Sequence, residues 1–253
     1  MKSLEHYIIP DWPAPNKVRA LQTTRHGGVS AAPYASLNLG DHVGDAPQAV
    51  ARNRQLLSPL LPSEPVWLNQ VHGTTVVNAD AAGCLPQADA CIATHRGAVC
   101  AVMTADCLPV LLCDDEGRVV GAAHAGWRGL CDGVIERTVQ AMNVPPQTLM
   151  AWLGPAIGPQ AFEVGAEVRA AFIAKQPQAT EAFTPSLALA GEGRGKGAKY
   201  LADIYLLARQ RLNALGITRI YGGVLCTCTD REKFFSYRRD GATGRMGSFI
   251  WLG

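Results

Sequence analysis

The sequence predicts a mixed α/β (α+β) fold, a single-domain layered sandwich of mixed β-sheets with helices packed outside. Three observations lead there. Short apolar runs follow one another across tight Gly/Asp turns, as hairpins do; four longer stretches carry helical periodicity and stand apart between those runs. No Gly-x-Gly-x-x-Gly follows a strand, so the sign of a doubly wound dinucleotide-binding sheet is missing.

In chain order the first strand is expected at 18–23 and the first helix at 47–57. Strands at 66–71, 75–78, 90–94, 99–103, 108–113 and 119–124 follow in close succession, the last two flanking Asp114-Asp115-Glu116-Gly117. A helix at 130–142, a strand at 149–153 and a helix at 164–175 come next. The segment 176–199 contains Gly191-Glu192-Gly193-Arg194-Gly195-Lys196-Gly197, too glycine-rich for a helix or a sturdy strand, and reads as a mobile surface loop. It lacks the spacing of a phosphate-binding Walker loop. The helix at 201–215 has Leu201, Ile204, Tyr205, Ala208, Leu212 and Leu215 on one face, Arg209 and Arg211 turned away, and Gly216 as its stop. Short strands at 220–222, 234–237 and 248–252 complete the chain.

Composition narrows the function. The chain has 253 residues, 48% of them hydrophobic, with 26 Gly and 16 Pro, which is globular and excludes disorder, collagen and coiled coil. Twenty-three Lys+Arg against 21 Asp+Glu leave a net charge of +2 with no basic block, so neither nucleic acid nor an anionic membrane is expected as partner. The N-terminus shows no signal-like apolar region, and the longest apolar stretch, 98–113, is broken by Asp106 and Pro109. That falls short of the ~20 residues of a membrane helix, so a soluble, cytoplasmic protein is expected. Eight cysteines, at 84, 91, 100, 107, 113, 131, 226 and 228, then read as reduced thiols, most of them core packing.

Chemistry concentrates around the expected hairpin. If Cys113 faces Arg118 across a four-residue loop, Cys107 and His124 stand directly opposite on one face, about 4.5–5.5 Å apart at Cβ. A three-residue loop would place Ala125 opposite Cys107 instead. Pro109 implies an edge or bulge nearby, and His72 closes a strand before a glycine turn, where it can join the pair. Two imidazoles and a thiolate suit zinc with an open fourth position. Taken singly, each residue reads as packed or hydrogen-bonded core; it is the pairing of Cys107 with His124 that makes a metal an equal alternative.

Five segments carry a resemblance: Asn69-Gln70-Val71-His72-Gly73, Thr104-Ala105-Asp106-Cys107-Leu108-Pro109-Val110, Ala123-His124-Ala125-Gly126-Trp127-Arg128-Gly129, Gly154-Pro155-Ala156-Ile157-Gly158-Pro159 and Phe235-Ser236-Tyr237-Arg238-Arg239-Asp240. With Thr24-Arg25-His26-Gly27-Gly28-Val29-Ser30 and Phe249-Ile250-Trp251 the match spans nearly the whole chain. The chain thereby resembles the YfiH family, a laccase-domain group also labelled polyphenol oxidase and peptidoglycan editing factor. The resemblance implies a YfiH-like single domain of two mixed sheets with helices outside, and a zinc on His72, Cys107 and His124. It also implies purine nucleosides and phosphate as substrates: phosphorolysis of adenosine, inosine and methylthioadenosine to free base and ribose 1-phosphate, with deamination of adenosine to inosine.

Further candidates come from the residues themselves. Asp106 is either an acid/base group or a turn-stabilising carboxylate. Arg128, ahead of a helix, is a candidate phosphate seat or a cap on sheet carbonyls. Arg25, Asn38 and Arg238 are candidate substrate-binding residues on loops. Glu163 is a base or a helix-start carboxylate, and Cys226 with Cys228 reads as packing. Four-copper laccase chemistry needs more imidazoles than six His without a His-x-His pair, although adventitious Cu²⁺ fits the same ligands. Two rival functions remain: a metal-free hydrolase with Cys107 as nucleophile and His124 as base, and a peptidoglycan-precursor editing factor.

Overall fold

In the computed structural model, residues 6–81, 83–186 and 198–253 are described. The sequence stretches richest in apolar residues become strands buried along their whole length: β5 (Val99–Thr104), β6 (Leu108–Asp114), β7 (Val120–Ala125) and β8 (Leu149–Leu153). They lack the polar alternation of a half-wet sheet because both their faces are covered.

β6, β7 and β8 belong to a six-stranded mixed sheet with β3 (Val76–Asn78), β4 (Ala90–Ala93) and β12 (Arg219–Gly222), in the order β12-β8-β6-β7-β4-β3. β5 belongs to a four-stranded antiparallel sheet with β1 (Tyr7–Ile8), β2 (Val18–Thr23) and β13 (Met246–Leu252), in the order β1-β2-β13-β5. The twofold alternation of strand side chains assigns the layers. Leu111, Cys113, Ala122, Met150 and Trp152 face Cys100, Val102 and Ile250 of the other sheet. Val110, Leu112, Ala123, Ala151 and Leu153 turn the other way, onto helices α2 (Trp127–Asp132), α3 (Val134–Met142), α4 (Ala166–Lys175) and α5 (Ile204–Ala214). Val99, Ala101, Met103 and Phe249 form the outer face of the small sheet, against Leu57 at the end of α1 (Pro47–Leu57). A third sheet, β10 (Phe183–Pro185), β11 (Lys199–Ala202) and β9 (Glu163–Gly165), flanks the helices. The expected layered α+β single domain is therefore the observed one, except that it has three sheets rather than two, and only the six-stranded one is mixed.

Several expected elements change. The helix at 130–142 starts earlier and is two helices, because Gly133 adopts φ +101° and breaks it between α2 and α3. The helix at 164–175 opens as strand β9, and that at 201–215 opens as β11 with Asp203 accepting from the Leu206 N–H as the cap of α5. The strand expected at 66–71 makes only isolated bridges, Val66 to Cys100 and Asn69 to Gln87. That at 234–237 is replaced by buried Phe234 and Phe235 leading into a helical turn, α6 (Tyr237–Asp240). The loop expected at 176–199 is too long: Pro177–Ala182 is a 3-10 turn, and β10 and β11 pair through Phe183–Ala202. Its glycine-rich centre lies outside the described residues.

The hairpin of β6 and β7 is present, with its register displaced. Cys113 pairs with Val120 rather than Arg118, which places Pro109 opposite His124. Buried Asp114 is the reason: its Oδ1 accepts from the N–H groups of Arg118 and Val119 and its Oδ2 from Arg118 Nε, so the turn closes on a side chain and takes up extra residues. A displacement by two positions keeps every side chain on its face. Cys107 and His124 still share the face turned toward the four-stranded sheet, as diagonal neighbours instead of direct partners.

Candidate metal centre

Cys107 lies where the chain crosses between sheets, in the three residues joining β5 to β6. The crossing is sharp, and Asp106 takes φ +89° to make it. His72 also occupies the left-handed region, at φ +60°. Such backbone costs on the order of 1–3 kcal/mol per non-glycine residue and persists only where the surroundings enforce it.

Asp89 enforces it at His72. This buried carboxylate accepts from the N–H groups of Val71, His72 and Gly73 at 3.2, 2.9 and 2.6 Å, wrapping the turn around itself. The same carboxylate lies 2.8 Å from His124 Nδ1, which leaves Nε2 facing the site. One side chain thus orients both imidazoles, whose rings meet edge to face at 4.8 Å between centroids. Cys107 Sγ lies 3.7 Å from His72 Nε2, and one ligand atom from each of His72, Cys107 and His124 falls within 4.8 Å of the others. This is the group of metal-ligating type found among the described residues, and it is the triad expected from the sequence. Gly126 is required at this spot, since a Cβ there would meet His72 Cδ2 at 2.7 Å and Cys107 Sγ at 3.0 Å. Gly129 lets α2 close on the His72 turn, because its Cβ would meet the Gly73 carbonyl at 2.8 Å.

The electrostatics follow from this crowding. Burial alone would raise the Cys107 thiol, but His124 and His72 overcome it and bring the pKa down to about 6. Burial would lower His124, yet the Cys107 thiolate and Asp89 hold it up at about 9. At neutral pH the pair is a thiolate beside an imidazolium, able to bind a cation once a proton leaves.

Two cavities meet at Cys107. One, of 180 Å³, is largely apolar, with Trp127, Ile157, Phe162 and Tyr237 among its walls. The other, of 360 Å³, holds His42, His72, His124 and Arg245.

The remaining expected site residues fall in different places. Arg238 lines the apolar cavity, its Nη1 on the Glu163 carbonyl. Asp106 lines it too, but both oxygens are engaged, Oδ1 by Thr227 and Oδ2 by the Arg238 N–H, each at 2.6 Å. The turn-stabilising reading describes it. Asn38 is a correction: it is fully buried and all its polar atoms are used within the protein, by Gly40, Asp45 and Arg245. Arg25 is another, spent on the carbonyls of Ala35 and Arg231 and lining neither cavity. Arg128 is exposed, stacked over Trp127 at 4.6 Å, and also lines neither. Glu163 accepts from Ser186, and Cys226 Sγ accepts from the Gly158 N–H. Asp89 and Arg245 escaped the sequence reading. Asp89 had a signal, an acidic residue leading straight into an apolar strand that should have no use for one.

The family described as multi-copper polyphenol oxidoreductase laccase matches residues 19–253. A purine nucleoside phosphorylase of Pseudomonas aeruginosa is 55% identical over 97% of this chain and 98% of its own. The purine nucleoside phosphorylase YfiH of Escherichia coli K12 is 55% identical over the same shares. Among solved structures, a Neisseria meningitidis protein superposes with a TM-score of 0.90 at 54% identity, covering 98% of this chain and 99% of that one. The Bacillus licheniformis hypothetical protein YfiH superposes with a TM-score of 0.83 at 31% identity over 94% of each.

Proposed function

Because this chain belongs to the multi-copper polyphenol oxidoreductase laccase family, in which its relatives carry the name purine nucleoside phosphorylase, we propose that it is a zinc-dependent purine nucleoside phosphorylase acting on adenosine, inosine and methylthioadenosine. The observation that carries this reading is the His72–Cys107–His124 cluster, opening on an apolar cavity with aromatic walls on one side and a polar one on the other.

The donor set fits zinc. Two imidazoles and one thiolate, at mutual distances within 4.8 Å and with His124 Nδ1 already committed to Asp89, supply three ligands of the borderline type zinc prefers. Bound there, zinc would supply Lewis acidity toward a substrate oxygen. Copper would suit the same atoms by affinity order, yet three ligands make one mononuclear site and not a multicopper centre. Phosphorolysis forms a bond from a phosphate oxygen to C1′ while the C1′–N9 bond breaks. The bonding pair leaves with the base, which takes the proton of hydrogen phosphate, giving free base and ribose 1-phosphate. Trp127 and Phe162 offer the purine apolar surface, and Arg238 stands at that cavity's rim. Deamination of adenosine at the same centre belongs to this reading. So does a cytoplasmic setting, in which the eight unpaired cysteines stay reduced.

One arrangement favours a second reading. Cys107, His124 and Asp89 stand in nucleophile, base and orienter order, as a metal-free hydrolase would need. Such an enzyme has no use for His72 on the same sulfur, whereas a metal does. The test is release of hypoxanthine from inosine with and without inorganic phosphate, before and after chelation. Phosphate-dependent, chelator-sensitive release is expected; chelator-insensitive turnover with a covalent adduct on Cys107 would establish the hydrolase instead.

A further inference from the structure

The cavity of 360 Å³ beside Cys107 has an unusual wall. His42, His72, His124 and Arg245 line it, and no Asp or Glu is among its lining residues. Arg245 is half-buried there and, among the described residues, forms no ion pair. Its Nη1 donates to the carbonyls of Thr243 and Gly244, at 3.0 and 3.1 Å, leaving Nε and Nη2 without a protein acceptor among the described residues. Burial lowers its pKa from the usual arginine value, outweighing the opposite pull of the nearby Cys107 and Asp106.

The surroundings fix the backbone of this residue and leave room for its side chain. Asn38 Oδ1 accepts from the Arg245 N–H at 2.8 Å, and the Arg245 carbonyl accepts from Leu39. Gly40 provides the room, since a Cβ there would meet Arg245 Cγ at 2.7 Å. The segment Ser36-Leu37-Asn38-Leu39-Gly40 is thereby a cradle for the arginine, which explains a buried asparagine with every polar atom engaged.

We propose that Arg245 is the seat of inorganic phosphate, placing the anion on the polar side of Cys107 and the purine on the aromatic side. This rests on the phosphorylase reading and deepens it. A guanidinium with free donors at both Nε and Nη2 matches two phosphate oxygens; the wall holds no carboxylate, and its one thiolate, Cys107, is the group a zinc would neutralise. The sugar then spans the mouth shared by the two cavities, where Ala105, Cys107 and Tyr237 line both. Arg128 does not compete for the anion: it is exposed, and α2 is a helix of only six residues.

The experiment measures binding of inorganic phosphate by calorimetry and the KM values of phosphate and inosine, on zinc-loaded protein. R245Q is expected to raise both the Kd and KM of phosphate about tenfold to a hundredfold, the loss of a charge-assisted hydrogen bond, with the inosine KM within about twofold. Gly40→Ala, which displaces the side chain and keeps its charge, is expected to weaken phosphate in the same direction, so the test survives if R245Q folds poorly. R128Q should leave the phosphate Kd unchanged. Phosphorolysis with an unchanged phosphate KM in both R245Q and Gly40→Ala would overturn this seat and leave the phosphorylase reading standing. Phosphate bound through Arg245 without any phosphorolysis would retain the seat and overturn the phosphorylase reading.

Discussion

Asp89 holds His124 through a 2.8 Å contact at Nδ1 while its two oxygens also anchor the turn that carries His72, so a single buried carboxylate aims two candidate ligands at one point. Asp89→Asn keeps the volume but turns an amide toward N–H donors. It is expected to weaken zinc about tenfold to a hundredfold and to destabilise the fold by about 3 kcal/mol, read by chelator competition and by denaturant unfolding. Wild-type affinity in this variant would show that the imidazoles are oriented without it.

Cys107→Ala should lose zinc and phosphorolysis together while the chain remains folded, because Cys107 is not part of the apolar layers that stabilise the sheets. Metal content and base release, measured on the same preparation, check this. A metal-free variant with full activity would end the zinc reading.

Zinc affinity should rise with pH, with a sign set by the two coupled groups. Ligands bind deprotonated, His124 holds its proton up to about 9, and Cys107 holds its own up to about 6. Of these two groups, His124 alone releases a proton on binding between those values, and both do so below 6. The apparent affinity should therefore climb about tenfold per pH unit from 6 to 9 on their account, more steeply below and not above. Competition with a chelator of known pH dependence measures it.

Gly126→Ala places a methyl group against His72 and Cys107. Zinc affinity should fall about tenfold or more. Because the added carbon also crowds α2, circular dichroism should accompany the measurement, and a folded variant with unchanged affinity would show that the ligands can yield.

Asp114→Ala removes the acceptor of two backbone N–H groups and of Arg118 at the hairpin turn. A loss of about 2 kcal/mol is expected in thermal or denaturant unfolding. Burial would raise the Asp114 carboxyl, but Arg118 and the turn N–H groups hold it below its ordinary value. Its contribution is thus present above the unfolded carboxylate pKa and disappears as pH falls through the folded one; Asp114→Ala should flatten the acid limb of stability.

Much of the fold is visible in the sequence because periodicity reports burial. The runs at Val18–Thr23 and Leu149–Leu153 and the helix Pro47–Leu57 stand where the pattern puts them, since each is decided by local spacing of apolar residues. The family motifs and the three candidate ligands are likewise visible, because side-chain chemistry is written in residue identity. Register is different. Whether Cys113 faces Arg118 or Val120 depends on how a buried Asp114 spends its hydrogen bonds, and no apolar pattern records that. The same reason hides Asp89 and Arg245 and misplaces Asn38: each acts through partners distant in the chain, such as Asn38 on Arg245 or Asp89 on His124, and only packing brings them together. The sequence alone determined which atoms are available for chemistry and the layers that bury the rest. Tertiary structure decided which of those atoms meet, because a buried polar group must find its hydrogen-bond partner wherever the folded chain supplies one.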